Sequence, residues 1–500
     1  MKIKLLSIAT ALAISANSHG ESLADIYELA LANDPTYQQA VVEYKIGQRS
    51  NYKAWANFLP KLNIDPSGSY SEGTGATFRS KRGDDDWVTN EGKETESKSA
   101  SIGRLTFNLG INDWFTFQNS LMNDDEAKYR FAQAQQNLII SVTNKYFSVL
   151  KAYDQLRIAQ KSQELSRINL ELAQTQLDQG LNTITDLHSA KADFYSKQIS
   201  TQDAQVAFDQ AFEALSLLTG KAHYELEGFE EKIPSPAPSP SDPESWINEA
   251  MSSNYNLKLD AITREKARNT RQADKLFYLP RVNMSWGGQS YNSTPGTSSI
   301  EKIPVTDENG DVVLIEQQIT SPSQRNLRRG GESLTVNLNI PLFGDNGLSW
   351  IQRKENAERE QIAQENFIKS RRQTEFDIRS NFLSILSQQK RLELQEMQLE
   401  QSQLAYEKTL IEYEHGSKSM VDLLQQQTNL MQSEKSNSDT RFQYIEQLLR
   451  LKQDAGKLTP ADIYEIDSWL SEDAEIIATQ RTFEAAASQI ESITTNTTKE

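Results

Sequence analysis

Two long tracts of this chain contain almost nothing that can end a helix. Between Gly110 and Gly220 the only glycine is Gly180, and between Gly347 and Gly456 the only one is Gly416. No proline lies between Pro66 and Pro234 or between Pro341 and Pro460. Both tracts are rich in Ala, Leu, Gln, Glu and Lys, all strong helix formers. Leu165, Ile168 and Leu172 are spaced i, i+3, i+7, and Leu392, Leu399 and Tyr406 repeat every seven residues. That is coiled-coil-like periodicity. The spacing predicts long helices over 111–179 and 348–415, each about 100 Å long at ~1.5 Å per residue. Each is followed by a turn and a second helix, over 185–219 and 420–455. A hydrophobic content of 37% suits long, half-solvated helices better than a compact globule.

A different kind of sequence precedes each long helix. Residues 61–110 and 281–347 are glycine-rich and alternate with period two: Leu105, Phe107 and Leu109 in the first, and Leu334, Val336, Leu338 and Ile340 in the second. Such alternation predicts half-buried strands in two hairpins, 61–110 and 281–347. Polar stretches at 79–97 and 300–329 read as their loops. Trp114, Phe115 and Phe117, then Phe343 and Trp350, cluster where strands meet helices, either as core anchors or as a membrane-interface belt.

The chain is written twice. "FLPKLNI" (58–64) answers "YLPRVNM" (278–284), "LTFNL" (105–109) answers "LTVNL" (334–338), and "KYFSVL" (145–150) answers "NFLSIL" (381–386). The expected organisation is a first repeat over 21–232, a proline-rich linker over 233–244, a second repeat over 245–459, and a loosely held tail over 460–500. Four strands cannot close a barrel, and open strand edges are not tolerated in lipid. If these hairpins enter a membrane, several chains must pool their strands.

Lys2 and Lys4 precede the apolar run "LLSIATALAISA", followed by Ser18 and Gly20. This is the layout of a secretory signal, with cleavage expected after Gly20. The run is too short to span a bilayer, and nothing after it approaches ~18 apolar residues. There is no cysteine, which excludes disulfides and thiolate sites. A net charge of −17 argues against nonspecific binding of nucleic acid or anionic lipid by the chain as a whole. None of the four histidines, His19, His188, His223 and His415, has a second histidine at i+4. No nucleophile elbow, phosphate loop or dinucleotide fingerprint is present. The sequence offers no catalytic constellation, cofactor site or metal site, and it reads as a non-enzyme.

The most specific repeated phrase is "GLNTITD" (180–186), echoed by "GSKSMVD" (416–422). Gly180 and Gly416 suit the left-handed conformation that ends a helix. Thr183 to Asp186 and Ser419 to Asp422 fit S/T-x-x-D, a capping pattern with the aspartate at the positive end of the next helix. Capping alone accounts for these residue types.

With these turns, "ANDP" (32–35), the "LP" entering each first strand, and "YEHGSKSMVDLL" (413–424), the chain from Leu23 to Ile463 resembles the TolC-like outer-membrane factors. The resemblance implies an α+β membrane protein that trimerises into a 12-stranded outer-membrane β-barrel continued by a periplasmic α-helical barrel. It implies a passive exit duct for drugs, toxins or proteins. Its partners would be a periplasmic adaptor (membrane fusion protein), an inner-membrane RND or ABC transporter, and outer-membrane lipid.

The two turns would form the gated end, with Gly180, Leu181, Gly416 and Ser417 as adaptor-docking positions. Asp186 would accept a bond from Tyr413, and Lys418 would reach Thr185. The family usually has arginine at the Lys418 position, and lysine lacks its planar fork. Asp422 would ring the pore, while the second ring position holds Gln425 in place of aspartate. A competing reading, a trimeric coiled-coil adhesin or envelope tether, predicts one continuous stalk without internal duplication.

Overall fold

The computed structural model describes residues 20–64, 67–73, 77–82, 86–91, 95–180, 183–229, 236–294, 296–306, 310, 312–322, 327–340 and 348–478. The predicted signal up to residue 19, Leu181 and Phe343 therefore lie outside the described residues. The chain divides into two units. One comprises Met1–Gly47, Asp125–Thr263 and Ala363–Glu500; the other comprises Gln48–Asp124 and Arg264–Ile362.

In chain order the first repeat contains α1 (Leu23–Asn33), α2 (Pro35–Ala56), β1 (Lys61–Asn63), β2 (Ser67–Gly73), β3 (Thr77–Arg82), β4 (Asp86–Glu91), β5 (Thr95–Leu109), α3 (Ile111–Asp178), α4 (Ile184–Thr219) and β6 (Glu225–Phe229). The second contains α5 (Pro243–Ser253), α6 (Tyr255–Lys275), β7 (Arg281–Thr294), β8 (Gly296–Thr306), β9 (Val312–Pro322), β10 (Leu327–Asn339), α7 (Leu348–Glu414) and α8 (Met420–Asp454). Then come α9 (Pro460–Asp467) and β11 (Leu470–Ile477). The 68 residues of α3 and the 67 of α7 occupy the glycine-free tracts.

The unit containing β1–β5 and β7–β10 is built on an antiparallel sheet ordered β1-β5-β7-β10, with β2 also pairing on β5. Its register lines up apolar rows on one face. Leu62 opposes Leu105, Leu105 opposes Trp286, and Trp286 opposes Leu334. Phe107, Met284 and Val336 form a second row; Leu109, Val282 and Leu338 form a third. The alternate positions are polar: Thr106, Ser285 and Thr335, then Asn108, Asn283 and Asn337. Strand side chains alternate between faces, so this sheet has one apolar and one polar surface. Among the described residues nothing covers the edge of this apolar surface: Leu334 is 64% and Leu338 62% exposed.

The stretches 79–97 and 300–329, read from the sequence as loops, largely belong to two further hairpins, β3–β4 and β8–β9. Pairing satisfies their backbone groups, and "TFRSKR" with "DWVTNE" carries enough β-branched and aromatic residues to hold strands despite its charge. The junction aromatics split between the two expectations. Phe115 and Phe117 are buried, with Phe117 packed edge-on against Trp55 and Phe58 at 5.0 Å, whereas Trp114 and Trp350 are exposed.

The other unit is helical. Its core joins Tyr146, Phe147, Phe208, Phe442 and Ile378, all at most 2% exposed. The Tyr146 hydroxyl donates to the Glu227 carbonyl at 2.6 Å. The proline-rich linker is strapped onto this unit: the Tyr444 hydroxyl donates to the Pro236 carbonyl, and the Trp246 indole donates to the Pro240 carbonyl.

The expected loose tail is corrected over its first part. Residues 460–477 form α9 and β11, and β11 pairs antiparallel with β6. Ile463, Ile466 and Ile476 are buried, and Lys452 holds Asp462 at 2.5 Å. These isoleucines and Ala478 join the helical core, with Trp469 and Leu470 packed against it, and dock the segment despite its acidic neighbours. On the opposite side of β6, Glu21 bridges Leu226, and its carboxylate meets the buried His223 ring.

Asp454, the last residue of α8, sits in this unit with its carboxyl pushed up to about 6, chiefly by burial. The Asn381 amide, donating at 2.7 Å, and Arg450 oppose the shift, while Asp377 adds to it. The folded-state value lies above the unfolded one, so the fold binds this proton more tightly. Stability from this group rises as pH falls through about 6 toward the ordinary carboxylate range, and is lost as pH rises. Asp454→Asn should raise the thermal midpoint at roughly pH 7.5 by the equivalent of about 1–3 kcal/mol and flatten its dependence between about pH 7 and 5. Circular dichroism melts across that range check this.

Candidate functional site

The two echoing turns are built by their own backbones. At the end of α3, Gly180 adopts φ 71°, and its N–H donates to the Leu177 carbonyl at 2.9 Å. At the end of α7, Gly416 adopts φ 73° and donates to the Tyr413 carbonyl at 2.9 Å. The Ser417 N–H and hydroxyl both reach the Glu412 carbonyl, closing the helix end. The left-handed conformation is what glycine supplies without Cβ strain.

The new helices start on hydroxyl caps. Thr183 caps α4: its oxygen accepts from the Asp186 N–H at 3.2 Å, and its hydroxyl donates to Asp186 Oδ2 at 2.6 Å. Ser419 caps α8 with a full reciprocal box. Its oxygen accepts from the Asp422 N–H at 3.2 Å, and its own N–H donates to Asp422 Oδ2 at 3.1 Å. Hydrogen bonds from the Ser419 side chain and backbone hold the Asp422 carboxyl below the usual carboxylate range, and the nearby Lys418 charge adds to this. Asp422 is therefore ionised while remaining fully exposed.

The expected site residues separate into two groups. Thr185, Gly416, Ser417, Lys418, Asp422 and Gln425 are exposed, and Asp186 is half-buried. Asp422, Gln425 and Asn429 run along one exposed line of α8, with the Gln425 amide donating to Asn429 at 3.1 Å. Tyr413 is in the seam: it is 4% exposed and packs in a cluster with Tyr406, Met420, Leu423 and Ala173. Within one chain, Lys418 acts electrostatically on Asp422, and the Asp186 carboxylate is engaged by Thr183.

Sequence reasoning overlooked a polar layer just behind the turns. Gln427 is fully buried. Its amide donates to the Ser162 carbonyl and the Ser166 hydroxyl, both at 3.0 Å, and its carbonyl accepts from Asn169 at 2.8 Å. Ser166 also bonds Asp193 of α4, which Lys197 approaches at 3.7 Å. This layer ties α3, α4 and α8 at one level. Its signal was present in the sequence: Gln427 interrupts the apolar series Leu423, Leu430, and Asn169 interrupts Leu165, Leu172. Buried polar residues in a coil seam set register at some cost in stability. Gln427→Leu should strand the Asn169 amide and cost about 1–3 kcal/mol, and adding Asn169→Leu should restore most of it. A double-mutant cycle by thermal denaturation in detergent reads both.

Comparison with known proteins now adds to this geometry. The family model described as outer membrane efflux protein matches residues 26–221 and 246–457. Outer membrane protein TolC of Vibrio cholerae is 24% identical over 471 residues, covering 94% of this chain and 98% of that protein. The alkaline protease secretion protein AprF of Pseudomonas aeruginosa is 23% identical, covering 88% and 85%. Among solved structures, the outer membrane protein VceC of Vibrio cholerae superposes with a TM-score of 0.65 at 16% identity, over 87% of this chain and 96% of that one. The CmeC outer membrane channel of Campylobacter jejuni gives 0.63 at 14% identity, over 90% of each.

Proposed function

Because the chain belongs to the outer membrane efflux protein family, we propose a specific working form for it: a homotrimeric duct gated at its two helix turns. It is an outer-membrane channel of the kind that serves efflux or type I secretion, extending into the periplasm. The observation that carries the trimer is the set of uncovered surfaces in one chain. Among the described residues the sheet ends at β1 and β10 without closing. Two such chains pool too few strands for a wide duct, whereas three give the 12-stranded barrel that the resemblance implies. In that barrel the apolar rows would face lipid and the Thr, Ser and Asn rows the lumen.

The helices make the same argument. On α7, Phe376, Leu383, Met397, Leu404 and Ile411 lie on one seven-residue grid and are each 51–65% exposed. On α4, Ile184, Tyr195, Val206 and Leu217 lie on an eleven-residue grid and are also exposed. Both are apolar stripes of the kind that a partner helix covers. A second copy of the chain supplies both at once. An adhesin or tether would need neither the internal duplication nor the two-faced sheet.

We place the gate at the turns. In the assembled form Asp186 would accept a bond from Tyr413, and Lys418 would reach Thr185 of the neighbouring coil. A carboxylate has about four acceptor sites, so the Thr183 cap leaves capacity for a second donor. Tyr413 has its ring packed in the seam with Tyr406, Met420 and Leu423. Six such links in a trimer amount to roughly 3–12 kcal/mol, a range that preferential adaptor binding to the open form can offset. The adaptor would dock at Gly180, Leu181, Gly416 and Ser417, and an RND or ABC transporter would supply the energy. The chain itself acts as a duct without catalysis.

Asp186→Ala with Tyr413→Phe should leave assembly intact and raise the resting single-channel conductance in planar bilayers severalfold. Unchanged conductance rejects the latch. The Asp422 ring predicts cation preference. Asp422→Asn should shift the reversal potential in a salt gradient toward zero, and Gln425→Asp should move it the other way.

A further inference from the structure

We propose that Ser419 is a positioning residue for cation selection: it aims the Asp422 carboxylate of each chain and keeps it charged in the ring of the assembled duct. This rests on the ring placed at Asp422 above, and goes beyond it by naming the group that decides whether the ring carries charge.

The ring of this chain depends on one carboxylate per copy. The position one turn further along α8 is Gln425, which brings no charge and donates its amide to Asn429 at 3.1 Å. Carboxylates drawn from three copies toward one axis repel one another, and the repulsion favours protonation. Selection by a single acidic layer is therefore lost in mild acid unless a local interaction holds the proton off.

The start of α8 supplies that interaction. Ser419 stands just outside the helix with extended backbone, φ −89° and ψ 160°. Its N–H donates to Asp422 Oδ2 at 3.1 Å, and its hydroxyl donates to the same oxygen at 2.8 Å. The Asp422 N–H returns a bond to Ser419 Oγ at 3.2 Å. Donors of this kind favour the ionised carboxylate. Both end on Oδ2, so among the described residues the protein leaves Oδ1 free to face an ion. The usual partner in such a box is Glu or Gln. Aspartate has one rotatable bond fewer, so the same two donors fix its direction more completely. The carboxylate also lies in the first turn of a 35-residue helix, at its positive end.

The surrounding charges leave Ser419 as the main control. Asp422 is exposed, and its carboxyl is held below the ordinary range first by the Ser419 side chain, then by the Ser419 backbone, with the Lys418 charge adding less. On the adjoining end of α7 the titratable side chains are Glu412, which lies 3.9 Å from Lys408, with Glu414 and His415. On α4 they are Asp186, bonded by Thr183, and His188. None of these accounts for the state of Asp422 as its own cap does.

The test measures reversal potential in a potassium chloride gradient, with the full protein in planar bilayers, from about pH 8 to pH 3. Cation preference should fall along a titration curve in the wild-type protein. Ser419→Ala should move the midpoint of that curve upward by at least about one pH unit, a tenfold gain in proton affinity, and Ser419→Thr should restore it. A cap that served only to start the helix would change thermal stability and leave the midpoint in place. An unmoved midpoint in Ser419→Ala overturns the positioning role, and the ring stands if Asp422→Asn still abolishes the preference. Wild-type preference in Asp422→Asn overturns the ring and the role of Ser419 together. If Ser419→Ala does not assemble, Ser419→Gly decides: glycine is a tolerated cap that keeps the backbone donor, so a smaller upward movement supports the role and none rejects it.

Discussion

Backbone groups in lipid have no water to bond, so a sheet that enters a membrane must have no open edge. Much of this molecule follows from that constraint. Its sheet alternates between apolar and polar faces through three consecutive rows, from Leu105, Trp286 and Leu334 down to Leu109, Val282 and Leu338. Such alternation, left uncovered by the rest of the chain's described residues, suits hydrocarbon on one side and water on the other. One chain provides four strand positions and leaves β1 and β10 at the edges. In the trimer proposed above, other copies supply the closure, and the exposed stripes on α4 and α7 are a second, independent observation that favours the same assembly.

The helical unit handles polarity differently. Its core is aromatic around Tyr146, Phe147 and Phe442, but toward the turns the seam becomes narrow and mixed. There Gln427, Asn169 and Ser166 replace hydrocarbon with a bonded layer. A seam held by directional bonds has a defined register and limited sliding. Tyr413, Met420 and Leu423 close the seam beyond it, and Asp422 and Gln425 remain outside. The end of this coil is thus divided between residues that fix the coil and residues that face solvent.

Much of this was legible in the sequence because it depends on local chemistry. The absence of glycine and proline over nearly seventy residues leaves few alternatives to a helix, and α3 and α7 end within a residue or two of Gly180 and Gly416. Period-two alternation marked β5 and β10 for the same reason. The tail was misread because its composition is acidic and polar on average, while a few apolar residues do the docking. The hairpins β3–β4 and β8–β9 were misread as loops because pairing satisfies the backbone whatever the charge of the side chains. Gln427 lies in a run of three glutamines, and in the sequence only its place in the series between Leu423 and Leu430 distinguishes it from its neighbours.

The sequence by itself determined the long helices and their lengths, the tandem duplication, the two capped turns and the two-faced strands. Each of these rests on interactions within a few residues or on a simple period. The tertiary structure decided which side of each helix is covered. It buried Tyr413 while leaving Asp422 in solvent, placed Glu21 and β11 on opposite sides of β6, and matched Gln427 to an asparagine 258 positions away. Those choices depend on packing between segments far apart in the chain, and no local pattern specifies them.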